Sequence, residues 1–311
     1  MERQAVDSEF VIETQGLTKT YGKTSAVKGL DLNVQRGEVY GFLGPNGAGK
    51  TTTLRMLLGL IKPSSGSASV LGRRPGEYEM LRRVGGLVES AAFYPYLSGQ
   101  ANLEVVARLG GVKGVESRVG EVLQKVGLSE RAKDKYKKYS TGMKQRLGVG
   151  AALLKDPELL ILDEPTNGLD PRGMADMREL IREAGSGERT VLLSSHLMGE
   201  VEQICDRVGV IRKGELIAEG TVDELRGPGA ILVRADPMEE AVRVVEELPE
   251  VEEAEVQKNG LLRIPVDPEK SSQISHKLAS AGIRVGEIRP EQRSLEEVFF
   301  ELTEERTEEE V

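Results

Sequence analysis

The chain has 311 residues, a formal net charge of −9 and 39% hydrophobic residues, which is enough apolar material for two ordinary domains. The acidic balance argues against a default nucleic-acid binder, because such proteins neutralise phosphates with lysine and arginine. The single cysteine, Cys205, excludes an internal disulfide, and no uncharged run approaches the roughly 18 to 20 residues that span a bilayer. We therefore expect a soluble, cytoplasmic chain in which Cys205 is a reduced core thiol, and any membrane role must come through a partner.

The first part of the chain predicts a β-rich start. Residues 10 to 43 contain apolar runs separated by turn residues, and they end in the short strand Val39–Leu43. Tyr21 stands just before the turn at Gly22. Its ring could stack on a nucleotide base or pack within the turn, and the residue chemistry alone favours the second interpretation.

A glycine-rich loop follows Val39–Leu43 and precedes a helix. Its first glycine, four further residues and then Gly-Lys-Thr meet the pattern of a phosphate-binding loop. Small residues let backbone N–H groups wrap the phosphates, and the helix N-terminus adds a partial positive charge. In this pattern Lys50 reaches the β- and γ-phosphates and Thr51 binds Mg²⁺. The residues that we expect to hold a nucleoside triphosphate are Gly44, Asn46, Gly47, Gly49, Lys50, Thr51 and Thr52.

An aromatic loop comes after the next predicted strand, Val84–Val88, which ends at Glu89. Phe93, Tyr94 and Tyr96 lie close together around a proline that resists regular structure. These rings could form a contact surface or fill a satellite core, and the sequence favours neither.

Helical periodicity from Gly99 to Lys155 predicts an inserted all-α subdomain over about residues 90 to 155. A basic run from Lys133 to Lys138 could bind nucleic acid, yet in so acidic a chain it is more typical of a solvated linker. Ser140 is placed to cap the helix that follows, and the free N–H groups of that helix would make an anion site.

Two adjacent carboxylates follow the apolar run Leu159–Leu162. The run predicts a buried strand that carries Asp163 and Glu164 to its carboxyl end, where open α/β sheets bind ligands. Asp163 suits Mg²⁺, and Glu164 suits general-base activation of a water molecule. His196 ends a later strand at the same expected edge, where it could contact a γ-phosphate, orient water or cap an element.

The last part of the chain predicts a separate small domain. After a hairpin and a linker at Arg226–Gly229, the order strand, helix, strand, strand, helix, strand suggests a ferredoxin-like α+β domain over residues 226–311. One more amphipathic helix containing Leu295 precedes an acidic tail that we expect to be frayed. His276 is expected to be a surface helical residue.

Together these motifs resemble the nucleotide-binding subunits of ATP-binding cassette (ABC) transporters over about residues 10 to 222. Gly44 to Thr52 matches the Walker A loop, Leu159 to Glu164 the Walker B strand, Asn167 to Asp170 the D-loop and Tyr139 to Arg146 the signature segment. The resemblance implies a P-loop NTPase of the ABC cassette fold in residues 1–225, with a β-rich start, a RecA-like core and the inserted all-α subdomain. It leaves the role of the added C-terminal domain open.

The resemblance also implies roles for single residues. His196 matches the switch histidine, and Tyr21 matches the aromatic residue that stacks on adenine. These two roles replace the interpretations of His196 as a capping residue and of Tyr21 as a residue packed in its turn. Ser140 and Gly142 match the signature pair that contacts the ATP of an opposite cassette, although Tyr139, Thr141 and Met143 depart from the commonest signature. Glu89 aligns with a glutamine that binds Mg²⁺ through an oxygen, so a carboxylate there adds negative charge beside the γ-phosphate.

The implied function is ATP hydrolysis that powers a separately encoded membrane permease. Catalysis is expected from Glu164, His196 and Glu89, and Mg²⁺ binding from Thr51, Asp163 and Glu89. The expected partners are a second ABC cassette and the permease at the inner face of the cell membrane, with no nucleic acid. Glu89-Ser90, Phe93-Tyr94-Pro95 and Ser294 to Phe299 look like the bacitracin, lantibiotic and daunorubicin exporter branch. The alternatives are a soluble ABC ATPase acting on ribosomes or nucleic acid, and a regulatory ATP-binding module with slow turnover.

Overall fold

The computed structural model describes residues 9–89, 92–227, 229–251, 253–257, 259–291 and 293–308, with side chains to residue 301. The chain divides into two compact units, of which the first ends at Gly220 and the second begins at Thr221. The expected boundary after residue 225 falls slightly later in the chain. The first eight residues, loop residues Ser90 and Ala91, linker residue Pro228 and the end of the acidic tail lie outside the described residues.

The strands and helices are numbered in chain order. The strands are β1 Phe10–Tyr21, β2 Thr24–Leu30, β3 Asn33–Gln35, β4 Val39–Leu43, β5 Ser65–Val70, β6 Val84–Leu87, β7 Leu159–Asp163, β8 Thr190–Ser195, β9 Arg207–Arg212, β10 Glu215–Thr221, β11 Ala230–Asp236, β12 Glu255–Val256, β13 Leu262–Ile264 and β14 Arg284–Glu291. The helices are α1 Lys50–Leu57, α2 Tyr78–Leu81, α3 Gly99–Leu109, α4 Val115–Lys125, α5 Thr141–Leu153, α6 Pro171–Gly185, α7 Met198–Val201, α8 Val222–Arg226, α9 Met238–Glu246, α10 Ser271–Ser280 and α11 Leu295–Glu308.

An antiparallel sheet at the start of the chain is built on β1. Strands β2, β3 and β5 all pair with β1 in antiparallel register. At 12 residues, β1 is longer than the short strands that the sequence predicts. Gly16 explains the difference, because it adopts a φ of 55° inside the strand, next to shifts in the pairing register, instead of ending the strand.

The second sheet has six strands in the order β10-β9-β4-β8-β7-β6. The pairs from β9 to β6 are parallel, and every residue of β4, β7 and β8 is buried, as is typical of parallel strands covered on both faces. Parallel strands present their carboxyl ends at one edge. That edge therefore collects the glycine-rich loop after β4, the two carboxylates at the end of β7 and the residues that follow β6 and β8.

Helices α3, α4 and α5 pack against one another and form the all-α part of the first unit. The predicted apolar face of α4 is buried, with Val119, Val122 and Leu123 at most 3% exposed. Gly150 of α5 brings the two helices close, since a Cβ at this position would lie 3.1 Å from a methyl carbon of Val122.

The second unit contains an antiparallel sheet in the order β12-β13-β11-β14. Along the chain its elements follow the order β11, α9, β12, β13, α10, β14. Helices α9 and α10 contact each other and the sheet, and the core contains Ile231, Leu262 and Leu278 at 0% exposure. Strand β12 has two residues, whereas the sequence predicts a strand from Val251 to Val256. An accessory role for the second unit stays a prediction.

Among the residues that the structure describes, no helix combines the length and the apolar character that crossing a bilayer requires.

Candidate functional site

A small pocket of about 200 Å³ lies at the carboxyl edge of the six-stranded sheet. Its lining comprises the glycine-rich loop, the start of α1, one residue of β2 and one residue after β7: Ala26, Asn46, Gly47, Gly49, Lys50, Thr51, Thr52 and Glu164. All of these except Ala26 and Glu164 belong to the predicted phosphate-binding loop. Ala26 was not predicted as part of the site, because nothing in a small residue of β2 indicates that it borders the loop.

The loop follows a tight path that brings its backbone close to β2. Gly49 adopts a φ of 112°, and a Cβ at this position would lie 2.4 Å from the carbonyl oxygen of Ala26. A side chain is therefore excluded here. Helix α1 begins at Lys50, so the free N–H groups of its first turn open toward the pocket. Lys50 is 6% exposed, and its ammonium donates to the carbonyl oxygens of Gly44 at 2.6 Å and Pro45 at 3.2 Å.

The carboxylate of Glu164 contacts two other side chains. Its Oε1 lies 3.2 Å from Nζ of Lys50, and its Oε2 lies 2.7 Å from Nδ1 of His196. An ionised carboxylate can only accept hydrogen bonds, so the second contact requires a proton on Nδ1. The structure thus brings together Lys50, Glu164 and His196, which the sequence predicts separately.

Thr51 and Asp163 form a pair of hard oxygen ligands beside Glu164. The Thr51 hydroxyl donates to Oδ2 of Asp163 at 2.8 Å, and Asp163 is 3% exposed. No group of three or more His, Cys, Asp or Glu side chains that could enclose a metal occurs among the described residues. Mg²⁺ does not need such a cage, because it is commonly held by one or two carboxylates together with phosphate oxygens and water. The Thr51–Asp163 pair fits that mode of binding.

Ser194 joins the two adjacent carboxylates and was missed by sequence analysis. This residue is 0% exposed, and its hydroxyl donates to Oδ1 of Asp163 at 2.6 Å. The same hydroxyl and the carbonyl oxygen of Ser194 accept from the backbone N–H of Glu164, at 3.0 and 3.2 Å. These bonds hold Glu164 at a φ of 48°, which is uncommon for a residue with a side chain. The available sequence signal was a polar residue directly after the three apolar residues of strand β8.

Tyr21 lies at the end of β1, outside the pocket lining. Its side chain is 49% exposed, and the ammonium of Lys19 lies 5.1 Å from the ring centroid. Lys19 is itself fixed, because it donates to the carbonyl oxygen of Lys62 at 2.6 Å. Tyr21 is therefore an exposed ring on the β1–β2 hairpin rather than a residue packed in its turn, and base stacking by this ring stays a prediction.

Ser140 and Gly142 also lie outside the pocket lining. Ser140 caps α5 as predicted, accepting from the N–H of Met143 at 3.3 Å, and it is exposed. A Cβ on Gly142 would lie 3.6 Å from a methyl carbon of Leu169, which precedes Asp170, the N-cap of α6. The predicted signature segment and D-loop therefore meet within this chain, away from the pocket that Lys50 forms.

Glu89 follows β6 and is outside the pocket lining as well. It adopts a φ of 61°, and its carboxylate forms an ion pair with the guanidinium of Arg55 on α1. Sequence analysis did not single out Arg55. Metal binding and catalysis by Glu89 stay predictions.

The aromatic loop has an inner and an outer part. Phe93 is half-buried, and its ring packs edge-on against Tyr136 with centroids 5.2 Å apart. Tyr94 and Tyr96 are 48% and 63% exposed, with ring centroids 5.7 Å apart. The rings thus contribute both to a small core and to an exposed surface, the two interpretations that the sequence left open.

The buried side chain of Asn102 fixes the conformation of the aromatic loop. The residue is 1% exposed, and its side-chain oxygen accepts from the N–H of Tyr94 at 2.8 Å. Its amide group donates to the carbonyl oxygens of Tyr94 at 3.1 Å and Ser98 at 2.9 Å. A buried amide with three such bonds holds the loop in one shape.

The basic run lies directly against the aromatic loop. The N–H groups of Tyr136 and Lys137 donate to the carbonyl oxygens of Leu97 at 2.8 Å and Pro95 at 3.1 Å. Lys133, Lys135, Lys137 and Lys138 are all exposed. The segment before the signature serine is therefore tied to the aromatic loop by its backbone, whereas the sequence predicted only a solvated linker.

Comparison with known proteins adds evidence that is independent of this geometry. The profile of a family described as ABC transporter matches residues 27–167. The chain is 41% identical to the bacitracin transport ATP-binding protein BcrA of Bacillus licheniformis, over 94% of this chain and 97% of that protein. It is 37% identical to the daunorubicin resistance ATP-binding protein DrrA3 of Streptomyces coeruleorubidus, over 95% of this chain and 96% of that protein.

Solved structures share the fold. One described as an ATP-binding subunit of an ABC transporter is 30% identical and superimposes with a TM-score of 0.63, covering 70% of this chain and 92% of its own. The α/β cassette architecture inferred from the sequence is confirmed by this similarity.

Proposed function

The chain belongs to the ABC transporter family as an ATP-binding subunit that hydrolyses ATP, and from that premise we propose that it powers the export of an antibiotic or similar drug through a separately encoded membrane permease. The relatives that carry the export assignment are named for bacitracin transport and daunorubicin resistance, and they match the chain over nearly its whole length. The single structural observation that carries the ATPase assignment is the contact of Glu164 with both Lys50 and His196 beside the glycine-rich loop.

The pocket residues have distinct roles in this proposal. The backbone of the glycine-rich loop and the ammonium of Lys50 bind the phosphates of ATP. Lys50 already lies within the loop, so it can exchange its contacts with backbone carbonyl oxygens for phosphate oxygens over a short movement. Tyr21 supports the adenine through its exposed ring.

Glu164 acts as the general base toward the attacking water, and His196 orients it. A general base has to keep its carboxylate ionised and correctly directed. The contacts from Lys50 and His196 direct the carboxylate, and the two bonds from Ser194 fix the backbone. Thr51 and Asp163 would hold Mg²⁺, which would supply positive charge that neutralises the triphosphate.

A second cassette completes the site in this proposal. Ser140 and Gly142 lie outside the pocket of their own chain, so they are free to meet the ATP of a partner. The free N–H groups after Ser140 suit an anion. ATP then bridges two acidic chains, which would otherwise repel each other. The permease contacts the exposed rings of Tyr94 and Tyr96, so that the cassette pair works at the inner face of the membrane.

The proposal is tested by combining an ATPase assay with a drug-susceptibility assay. The purified chain should release phosphate from ATP in a Mg²⁺-dependent manner, and deletion of its gene should increase sensitivity to bacitracin-like or anthracycline-like compounds. Complementation by the wild type and by the surface variant Glu188→Gln should restore resistance, whereas Glu164→Gln should not. Phosphate release without any change in drug sensitivity would contradict the export assignment and leave the ATPase assignment in place.

The alternative of an ATPase acting on ribosomes or nucleic acid makes a different prediction. It requires the exposed lysines from Lys133 to Lys138 to bind RNA or DNA in a salt-sensitive manner. Their backbone attachment to the aromatic loop supports the permease assignment instead, since it places them beside the expected docking surface.

A further inference from the structure

The ion pair between Arg55 and Glu89 connects the helix after the glycine-rich loop with the segment after β6. Arg55 is 35% exposed at its side chain and Glu89 is 63% exposed, so the pair lies at the surface and remains accessible to solvent. Glu89 adopts a φ of 61°, a conformation that few residues with a side chain adopt without support from their surroundings.

Neither partner lines the phosphate pocket, but each lies on or directly after an element that reaches the same edge of the sheet. Arg55 follows Thr51 by four residues on α1, so the two side chains share one face of the helix, one turn apart. Thr51 in turn donates to Asp163. Strand β6 is paired with β7 so that Leu87 lies opposite Leu162, and Glu89 therefore leaves the sheet at the same edge as Asp163 and Glu164.

The negative charges of the carboxylates at this edge indicate a role for the ion pair. Asp163, Glu164 and Glu89 bring three carboxylates to a site that must accept a polyanion. Asp163 is bonded by two hydroxyl groups, and Glu164 is paired with Lys50. Glu89 has Arg55 as its counterpart. Without that guanidinium, the Glu89 carboxylate would add an uncompensated negative charge at the sheet edge that carries the phosphate pocket.

We propose that Arg55 is a positioning residue of the nucleotide site, which holds Glu89 in an ion pair and thereby reduces the repulsion between this carboxylate and a bound triphosphate. The inference rests on the proposed function, since it takes ATP as the occupant of the pocket. It explains how a carboxylate is compatible with a position at the edge of a phosphate-binding site.

The test is a double-mutant cycle on the full-length chain, read out by the dissociation constant of a fluorescent ATP analogue and by the KM and kcat of ATP hydrolysis. Arg55→Met should weaken nucleotide binding by about two- to fivefold, because the pair is solvent-exposed and its charges are screened. The effect should appear mainly in KM and should shrink at high salt. In the Glu89→Gln background, the same substitution should have little effect, because there is no carboxylate left to neutralise.

Two further variants serve as controls for the double-mutant cycle. Arg108→Met removes a guanidinium that is 64% exposed and paired with Glu104 on α3, and it should leave nucleotide binding unchanged. Arg55→Lys keeps the positive charge and should bind nucleotide nearly as well as the wild type, which provides a readout if Arg55→Met fails to fold.

The outcomes separate this inference from the proposed function. Equal weakening by Arg55→Met in the wild-type and Glu89→Gln backgrounds, or no weakening in either, would overturn the role of Arg55 while ATP binding stands. A loss in Arg55→Lys as large as in Arg55→Met would show that charge is not the cause and would also overturn it. A wild-type chain that neither binds nor hydrolyses ATP would instead contradict the proposed function.

Discussion

The imidazole of His196 and the carboxylate of Glu164 are in direct contact, with Nδ1 lying 2.7 Å from Oε2. The two residues come from the ends of neighbouring parallel strands, β7 and β8, and the pairing of Asp163 with Ser194 sets their register. With Lys50 on the other carboxylate oxygen, Glu164 is held from both sides. A group held in this way can be directed at a water molecule without further ordering of its side chain.

Replacing Glu164 with Gln should reduce ATP hydrolysis by about a hundredfold or more while nucleotide binding is retained. The expected loss follows from the general-base contribution of about 10²–10⁴ in rate. The variant can be compared with Glu188→Gln, which changes an exposed carboxylate just after α6, in a steady-state phosphate-release assay. Wild-type turnover in Glu164→Gln would contradict the assignment of the base.

Replacing Ser194 with Ala should raise the Mg²⁺ concentration needed for half-maximal hydrolysis. The substitution removes the hydroxyl that donates to Asp163 and accepts from the N–H of Glu164, so both carboxylates lose support. Loss of a buried hydrogen-bonding group also costs about 1–3 kcal/mol in free energy of unfolding.

Ser195→Ala is the matched control for that experiment. Ser195 is 2% exposed, and its hydroxyl accepts from the N–H of Leu197 instead of contacting a carboxylate. A Mg²⁺ titration that is shifted equally in the two variants would show that burial, and not the contact with Asp163, determines the effect.

The exposed half of the aromatic loop should be required for attachment of the permease. Tyr94→Ala combined with Tyr96→Ala should release the membrane partner in a pull-down of the co-expressed complex, with nucleotide binding unchanged. The reason is that the two exposed rings provide apolar contact area at little conformational cost. Tyr78→Ala, which removes a ring that is 71% exposed elsewhere in the first unit, should retain the partner.

Phe93 and Asn102 should behave differently from these tyrosines. Phe93 packs inward on Tyr136, so Phe93→Ala should lower thermal stability as well as weaken attachment. Asn102→Ala should weaken attachment without altering any exposed ring, because it frees the backbone of Tyr94. Full retention of the partner by the Tyr94 and Tyr96 double variant would exclude this loop as the docking surface.

The sequence predicted the components of the site more fully than their contacts. The glycine-rich loop, the two carboxylates at the end of β7 and the cap at Ser140 all depend on local patterns, and each appears where it was expected. Ser194, Asn102 and Arg55 were not predicted, because their partners Asp163, Tyr94 and Glu89 come from other elements and only the fold brings them together.

Errors in the predicted elements have a similar origin. Residues 10 to 43 were predicted as short strands joined by turns, but pairing with β2 and β5 continues β1 past Gly16 to Tyr21. The lysines near Tyr136 were correctly predicted to be solvated, since they are exposed. The backbone hydrogen bonds from this segment to the aromatic loop could not be predicted, because they do not depend on the side chains.

Cys205 should be unreactive in the folded protein. It is 9% exposed, and burial raises the pKa of its thiol well above the ordinary value, so the reactive thiolate is scarce at neutral pH. Labelling with a thiol reagent at about pH 8, close to the ordinary thiol pKa, should be slow for the native chain and fast after denaturation. Rapid labelling of the native chain would contradict the assignment as a core thiol.

Stability should depend on pH through Glu158, which precedes β7. Arg83 donates to both of its carboxylate oxygens, at 2.5 and 2.6 Å, and these bonds lower the pKa of Glu158 from its usual 4.5. A lowered pKa means that the ionised form stabilises the fold above about pH 4.5, and that this contribution is lost as the pH falls through the folded-state pKa.

Glu158→Gln should therefore lower the thermal midpoint at neutral pH and have a smaller effect at the lowest pH at which the protein remains folded. The side chain is 42% exposed, so screening limits the expected loss to about 0.5–1 kcal/mol, or about 1–4 °C. Thermal unfolding followed by circular dichroism at about pH 7, 5 and 4 measures the difference, with Glu188→Gln as the control. An equal difference at every pH would show that the loss arises from packing instead of the charge on Glu158.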